Sequence, residues 1–547
     1  MKNSTARGAD ALARTIAMAG MRRVFALSGN HVMPVFDAAL DAGLAIVHVR
    51  HEAAAVHMAD AWARLTAEPG IALVTAGPGH ANAIAALYTA RMAESPLVLL
   101  SGHAPRNQLD MGAFQEMAQA EMAAPVTKAA WMCESPDDVA ADFAKALRLA
   151  RSGRRGPVHL SLPTDCLDGA TTGELPRPED FEPRAMALGP EDAAVIYARL
   201  RHAQRPLVLA GPACMTKPGR EQLAMLEAAS GIPVIGMESP RGISDPSLGA
   251  FAAMLARADC VLLLGKRLDF TLKFGAAPAI ATDCEFMQVD AESAEFERTR
   301  RAVAARLTFT ALAEVFAALD RLTRRALQGP PVSSSWLGDM RAAIAYRPAA
   351  WDSAAARAPG RLHPVQALRP LQALLASHSD AVFVSDGGEF GQWAQACLAA
   401  PHRVINAVAG AIGPALPFAV AACLAQPNAP VIAAMGDGTF GFHPAEIDTA
   451  VRYGLRFLAV VGNDARWNAE YQIQLREYGP ERARDTGLLP TRYEKVAEGF
   501  GGYGEAVGDA SELLPAARRA MGSGLPAVLN VAIEGVAAPG IDAWPPA

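Results

Sequence analysis

One pattern runs through this chain and limits what it can become. Apolar runs of strand length alternate with helical patterns, joined by glycine-rich turns. Ile71–Val74 leads through Gly77-Pro78-Gly79 into a helical stretch from His80 to Ala93, and the next apolar run, Leu97–Leu100, follows directly. The same order returns at Pro206–Ala210, Cys260–Gly265, Ala381–Ser385, Val431–Met435 and Phe457–Val461. A repeated strand, turn and crossover helix builds parallel sheets with helices on both faces. The expected fold class is therefore α/β, with doubly wound parallel sheets.

Two stretches interrupt the pattern. Residues 167–190 are rich in Gly, Pro and acids, and residues 329–364 carry Pro330-Pro331 and Ser333-Ser334-Ser335 with little periodicity. Both read as linkers. They leave three blocks, at 1–168, 188–328 and 363–537, which suits 547 residues at roughly 150 per domain.

Charge excludes some functions. The formal net charge is −6, spread without blocks, so no basic face for nucleic acid is expected. The seven cysteines include no Cys-x-x-Cys pair and read as reduced thiols of a cytoplasmic protein. The N-terminus shows no apolar signal region. Ala407–Ala425 is uncharged and long enough to span a bilayer, but Gly410, Gly413, Pro414 and Pro417 make it a buried turn and helix instead.

The strongest chemical signal is Gly436-Asp437-Gly438-Thr439, at the end of an apolar strand. Open α/β sheets bind ligands at the carboxyl ends of their strands. The glycines admit a phosphate close to the backbone, and the Asp offers a hard oxygen to Mg²⁺. Alone, Gly-Asp-Gly is usually a turn. Here one helix and one strand later comes Gly462-Asn463-Asp464-Ala465-Arg466-Trp467, which brings a second acid to a strand end. Together they read as a diphosphate–Mg²⁺ site.

These residues resemble the thiamine-diphosphate (ThDP) enzymes, specifically the acetolactate synthase-like superfamily, whose motif is Gly-Asp-Gly followed at a fixed distance by Asn-Asn. The resemblance implies that Asp437, Asp464 and the backbone carbonyl of Arg466 hold the metal, with Asp464 standing where the family has Asn. It covers residues 6–533, nearly the whole chain. Glu52 in His51-Glu52-Ala53 matches the glutamate that bonds the cofactor's aminopyrimidine, a role suited to a carboxyl in apolar surroundings. Pro78 and Asn82 belong to the family's Gly-Pro-Gly turn and helix. Gln115 in Phe114-Gln115-Glu116 matches a glutamine facing the reacting centre.

By the same resemblance, Gly410 and Ile412 belong to the segment whose bulky apolar residue bends the cofactor. Trp467 borders the metal loop, and Glu470 matches a catalytic glutamate of pyruvate decarboxylases or is an exposed helical acid. His31 matches a catalytic His of benzaldehyde lyase, or else starts a helix. The implied fold has three domains, for pyrimidine binding, a central Rossmann-like block, and diphosphate and Mg²⁺ binding.

The central block is less specific. Gly265-Lys266-Arg267-Leu268-Asp269 is similar to a segment of oxalyl-CoA decarboxylase and 2-hydroxyacyl-CoA lyase. Residues 242–259 are shorter than in acetolactate synthase and lack its Gly-x-His-Gly loop, which counts against FAD. ADP, the nucleotide of CoA, or no ligand remain open for this block.

The expected function is non-oxidative C–C bond chemistry on a 2-oxo acid, by decarboxylation, carboligation or both. The alternatives are a CoA-thioester lyase or decarboxylase, with Lys266 or Arg267 near the nucleotide, and a non-catalytic protein of the same fold. The resemblance also implies a homodimer or homotetramer with active sites shared between chains, acting on a small 2-oxo acid or acyl-CoA.

Overall fold

The computed structural model describes residues 6–541 and 544. They form two compact units, one ending at Ala185 and the other starting at Met186.

The first unit holds one six-stranded sheet: β1 (Arg23–Ala26), β2 (Ala45–His48), β3 (Gly70–Val74), β4 (Leu97–His103), β5 (Ala130–Met132) and β6 (Pro157–Pro163). Its spatial order is β2-β1-β3-β4-β6-β5, and every pairing is parallel. All residues of β3 and β4 are buried, as expected for a sheet covered on both faces. The alanine-rich helix Glu52–Thr66 lies so close that a side chain on Gly70 would strike the Ala59 carbonyl at 2.1 Å. His51 opens this helix, its Nδ1 accepting from the Ala53 N–H at 3.1 Å.

The second unit holds two more parallel sheets. One contains β7 (Pro206–Ala210), β8 (Val234–Gly236), β9 (Cys260–Leu264), β10 (Glu285–Asp290) and β11 (Leu307–Leu312), in the order β11-β10-β9-β7-β8. The other contains β12 (Val382–Ser385), β13 (His402–Ile405), β14 (Val431–Gly436), β15 (Leu458–Asn463), β16 (Tyr503–Val507) and β17 (Ala527–Ala532), in the order β13-β12-β14-β15-β17-β16. The molecule is thus built from three doubly wound α/β sheets. In each, the chain starts inside the sheet and winds outward in both directions. This leaves a crevice at the carboxyl ends of β1 and β3, of β7 and β9, and of β12 and β14.

The structure departs from the expected linker at 329–364. Residues Ser335–Ala345 form a helix, with Trp336, Met340 and Ala343 buried in the core of the five-stranded sheet. Their i, i+4, i+7 spacing is a helical stripe that the neighbouring serines and prolines obscured. Residues 407–425 are a turn, with Gly410 and Gly413 at positive φ, followed by the buried helix Ala415–Ala425 packed on β14. Among the described residues no helix is long and apolar enough to cross a membrane.

Candidate active site

In the first unit the crevice between β1 and β3 gathers the expected side chains. Glu52, the first residue of its helix, is buried, and the Asn82 amide donates to its Oε2 at 3.0 Å. Pro78 starts the helix Pro78–Ala93 that carries Asn82, and a side chain on Gly79 would stand 3.5 Å from Glu52 Oε1. His31 is buried at the start of a short 3₁₀ turn, Asn30–Val32. Its Nε2 lies 3.2 Å from the Phe114 carbonyl and its Nδ1 3.3 Å from Thr75 Oγ1. A carbonyl only accepts, so Nε2 carries the proton and Nδ1 accepts from the hydroxyl. Burial lowers the His31 pKa, which keeps the ring neutral. Both ring nitrogens are therefore engaged.

Gln115 sits above Gly77 with φ +59, a left-handed conformation unusual for a side-chain-bearing residue. A Cβ on Gly77 would come within 2.9 Å of Gln115 Cβ. Glu116 braces this loop by accepting from the Asp110 and Ala113 N–H groups at 2.6 and 3.0 Å. The Phe114 ring stacks on His31 at 5.7 Å between centroids. Below lies a polar layer that the sequence reading missed. Gln119 Oε1 accepts from the Gly77 N–H at 2.9 Å, while its Nε2 donates to the Gly102 carbonyl at 3.0 Å. The His80 and His159 rings meet at 4.5 Å between centroids, tilted by 54°, and burial pushes the His80 pKa down to about 4.

In the second unit, Asp437 and Asp464 emerge from adjacent strands paired at Gly436 and Gly462. One pocket is lined by Ile412, Gly436, Asp437, Gly438, Thr439, Asp464, Arg466, Trp467 and Glu470. Gly410 lines a neighbouring cavity instead. Gly438 is required where it stands, because a Cβ would lie 2.7 Å from the Trp467 indole. Thr439 Oγ1 donates to the Gly436 carbonyl at 3.0 Å, tightening the turn. Glu470 is exposed in the first turn of the helix Asn468–Tyr478.

This pocket concentrates buried negative charge. Asp437 is 1% exposed, and its Oδ2 has no hydrogen-bond partner. Such a buried acceptor is costly unless something satisfies it. Burial pushes the Asp437 pKa up to about 6, and burial together with the charge of Asp437 pushes Asp464 up to about 7. Two facing carboxylates and an orphaned oxygen suit a hard divalent cation with further oxygens from backbone and ligand. Among the described residues no three His, Cys, Asp or Glu side chains could hold a metal by themselves.

The sequence reading also missed the loop after β12. Asp386 is buried and accepts from the N–H groups of Gly387 at 2.7 Å, Gly413 at 2.9 Å and Ala415 at 3.1 Å. It thereby fixes the segment carrying Ile412. Burial holds its pKa up at about 6 despite those donors. The signal was present, as Asp386-Gly387-Gly388-Glu389 directly follows an apolar strand.

In the five-stranded sheet, Lys266 is buried and bonds Thr271 Oγ1 at 2.7 Å, and Arg267 pairs with Glu295 at 3.0 Å. Both cations are engaged within the fold. At the β7–β9 crevice a Cβ on Gly211 would strike the Gly265 carbonyl at 2.3 Å.

Three family profiles match: thiamine pyrophosphate enzyme, N-terminal TPP binding domain, over residues 6–122; the central domain over 193–315; and the C-terminal TPP binding domain over 386–531. The chain belongs to the thiamine pyrophosphate enzymes. Within that family it is similar to a probable acetolactate synthase of Mycobacterium bovis, 32% identical over 541 residues, covering 95% of this chain and 94% of the relative. It is also similar to human 2-hydroxyacyl-CoA lyase 2, 29% identical with 97% and 91% covered. A catabolic acetolactate synthase of Raoultella terrigena is 29% identical, with 97% and 95% covered. The chain is an acetolactate synthase-like thiamine pyrophosphate enzyme, and the two outer domains are those that bind the cofactor in the family.

Proposed function

We propose that this enzyme uses thiamine diphosphate and Mg²⁺ to decarboxylate a 2-oxo acid, join the resulting acyl unit to a carbonyl acceptor, or both. The observation that carries the reading is the orphaned Oδ2 of Asp437, buried beside Asp464 at adjoining strand ends. The two carboxylates and the Arg466 carbonyl would hold the cation, and the open backbone at Gly436 would admit the diphosphate. Thiamine diphosphate, when bound, supplies a nucleophilic carbon and an electron sink for C–C bond cleavage.

The chain's own residues supply the rest. Glu52 would exchange a proton with the pyrimidine ring, with Asn82 holding its carboxylate in one orientation. Ile412, braced from behind by Asp386, would support the bend of the cofactor. Gln115 presents an amide on a fixed loop. His31 is neutral and held by Thr75 and Phe114, so moving a proton through it requires exchanging one of those bonds. Glu470 would serve as an acid or base from the rim of the second pocket.

The test is CO₂ release from a panel of 2-oxo acids, with and without thiamine diphosphate and Mg²⁺. We expect release only with both, and a loss of at least ~10²-fold in Glu52→Gln with cofactor binding retained. Turnover that survives Glu52→Gln would remove the assigned role. A second reading, cleavage of a 2-hydroxyacyl-CoA, is favoured by the relatives that carry that name. Cofactor binding without CO₂ release from any acid would move the assignment there.

A further inference from the structure

Beside the pocket of Asp437 lies a second cavity of about 440 Å³, sharing Gly387, Gly388 and Glu389 with it. Its charged lining is Arg241, Arg476 and Glu389. The arginines come from different elements, Arg241 from the loop after β8 and Arg476 from the last turn of the helix Asn468–Tyr478. Both act electrostatically on Glu389, as does Glu470. Among the described residues the Arg241 guanidinium has no hydrogen-bond or ion-pair partner, and Arg476 pairs with its neighbour Glu477 at 3.0 Å in an exposed contact. The buried amides of Gln392 and Asn406 complete the polar lining. A chain of net charge −6 has here placed two weakly committed cations on one cavity. With two arginines against the single carboxylate of Glu389, the charged lining is net positive, which favours an anionic ligand.

We infer that this cavity receives an anionic group of the substrate or acceptor, a carboxylate or phosphate remote from the bond that changes, with Arg241 and Arg476 as its counter-charges. The group is a remote one because an arginine on a carboxylate about to leave would stabilise the ground state and oppose its loss. The inference rests on reading the adjoining pocket as the cofactor's.

Isothermal titration of the enzyme loaded with thiamine diphosphate and Mg²⁺ tests it, using matched probes: 2-oxoglutarate against 2-oxopentanoate, and 4′-phosphopantetheine against pantetheine. We expect at least one charged probe to bind tenfold or more tightly than its neutral-ended match. The Arg241→Ala/Arg476→Ala double variant should lose that advantage, and Arg241→Lys should keep part of it. An advantage for 2-oxoglutarate identifies a distal carboxylate, and one for 4′-phosphopantetheine identifies a phosphate. No advantage for either, or one that survives the double variant, overturns the inference. Quenching of tryptophan fluorescence by thiamine diphosphate, followed in each variant, separates the two readings. Quenching without charge discrimination sinks the cavity inference alone. Charge discrimination without quenching sinks the proposed function and leaves the cavity as an anion site.

Discussion

At Gly436 the backbone is extended, with φ −74, and a methyl group there would meet no atom within 4 Å. Two residues further on in the same turn, the situation reverses, since Gly438 lies under the Trp467 indole. The pair separates packing from ligand binding. Gly436→Ala should change the unfolding free energy by no more than about 0.5 kcal/mol, yet weaken thiamine diphosphate binding at least tenfold. Gly438→Ala should cost about 1–3 kcal/mol by overpacking. Denaturant melts and calorimetric titration of the cofactor check both, and unaltered cofactor affinity in Gly436→Ala would move the diphosphate elsewhere. Glycines and acids at strand ends were legible from sequence because spacing alone puts them there. The importance of Asp386 is not legible there, because it comes from three backbone donors, two of them on a segment 27 and 29 residues away.

Among elements, the loop from 407 to 414 is pinned by that carboxylate together with the Asn406 amide, which donates to the Ala411 carbonyl at 2.9 Å. Asp386→Ala strands three N–H groups in a buried site, at a cost of about 2–4 kcal/mol. It should also loosen Ile412, so cofactor affinity should fall even at temperatures where the fold survives. Asp386→Asn, which retains an acceptor, should lose less. The helix Ser335–Ala345 teaches a different lesson. Its serine-rich approach looked like a tether, and only its packing reveals the stripe. Trp336 is 4% exposed and its Nε1 donates to the Pro206 carbonyl at 2.8 Å. Trp336→Ala should therefore cost about 3–5 kcal/mol, measured by urea unfolding, whereas a tether residue would cost almost nothing. The parallel sheets were readable because central strands such as β3, β7 and β9 are buried on both faces and read as continuous apolar runs. Tertiary partners of short helices leave no such trace.

At the scale of the molecule, two buried groups, one in each unit, respond to pH in opposite senses. In the first unit His80 holds its pKa near 4 rather than 6.5, because burial disfavours its charged form. The unfolded chain binds a proton that the folded chain refuses, so this stability is present above pH 6.5 and lost as pH falls toward 4. The loss amounts to up to about 3 kcal/mol. In the second unit Asp386 has the opposite sense, raised from 3.8 to about 6, and its contribution declines as pH rises through that interval. Burial lowers His31 and His159 alongside His80 in the first unit, whereas the second unit sets its lowered His363 and His402 against Asp386, so mild acid should weaken the first unit before the second. Hydrogen exchange at pH 7 and pH 5 should show protection falling first around β3, β4 and β6. His80→Gln should flatten that response, and equal loss in both units would refute the division. None of this could be read from the sequence, where His80 is one more polar residue after a glycine turn.

The left-handed loop at Gln115 has a consequence for engineering. Its shape is set by Glu116, Phe114 and Gly77, and no side-chain bond from residue 115 takes part among the described residues. The loop is a tool-holder, and residue 115 is the exchangeable bit. Asn, Asp or Gly fit its φ most easily, and β-branched side chains fit worst. A small library at this one position would therefore vary the chemistry offered to the crevice while leaving the mount unchanged.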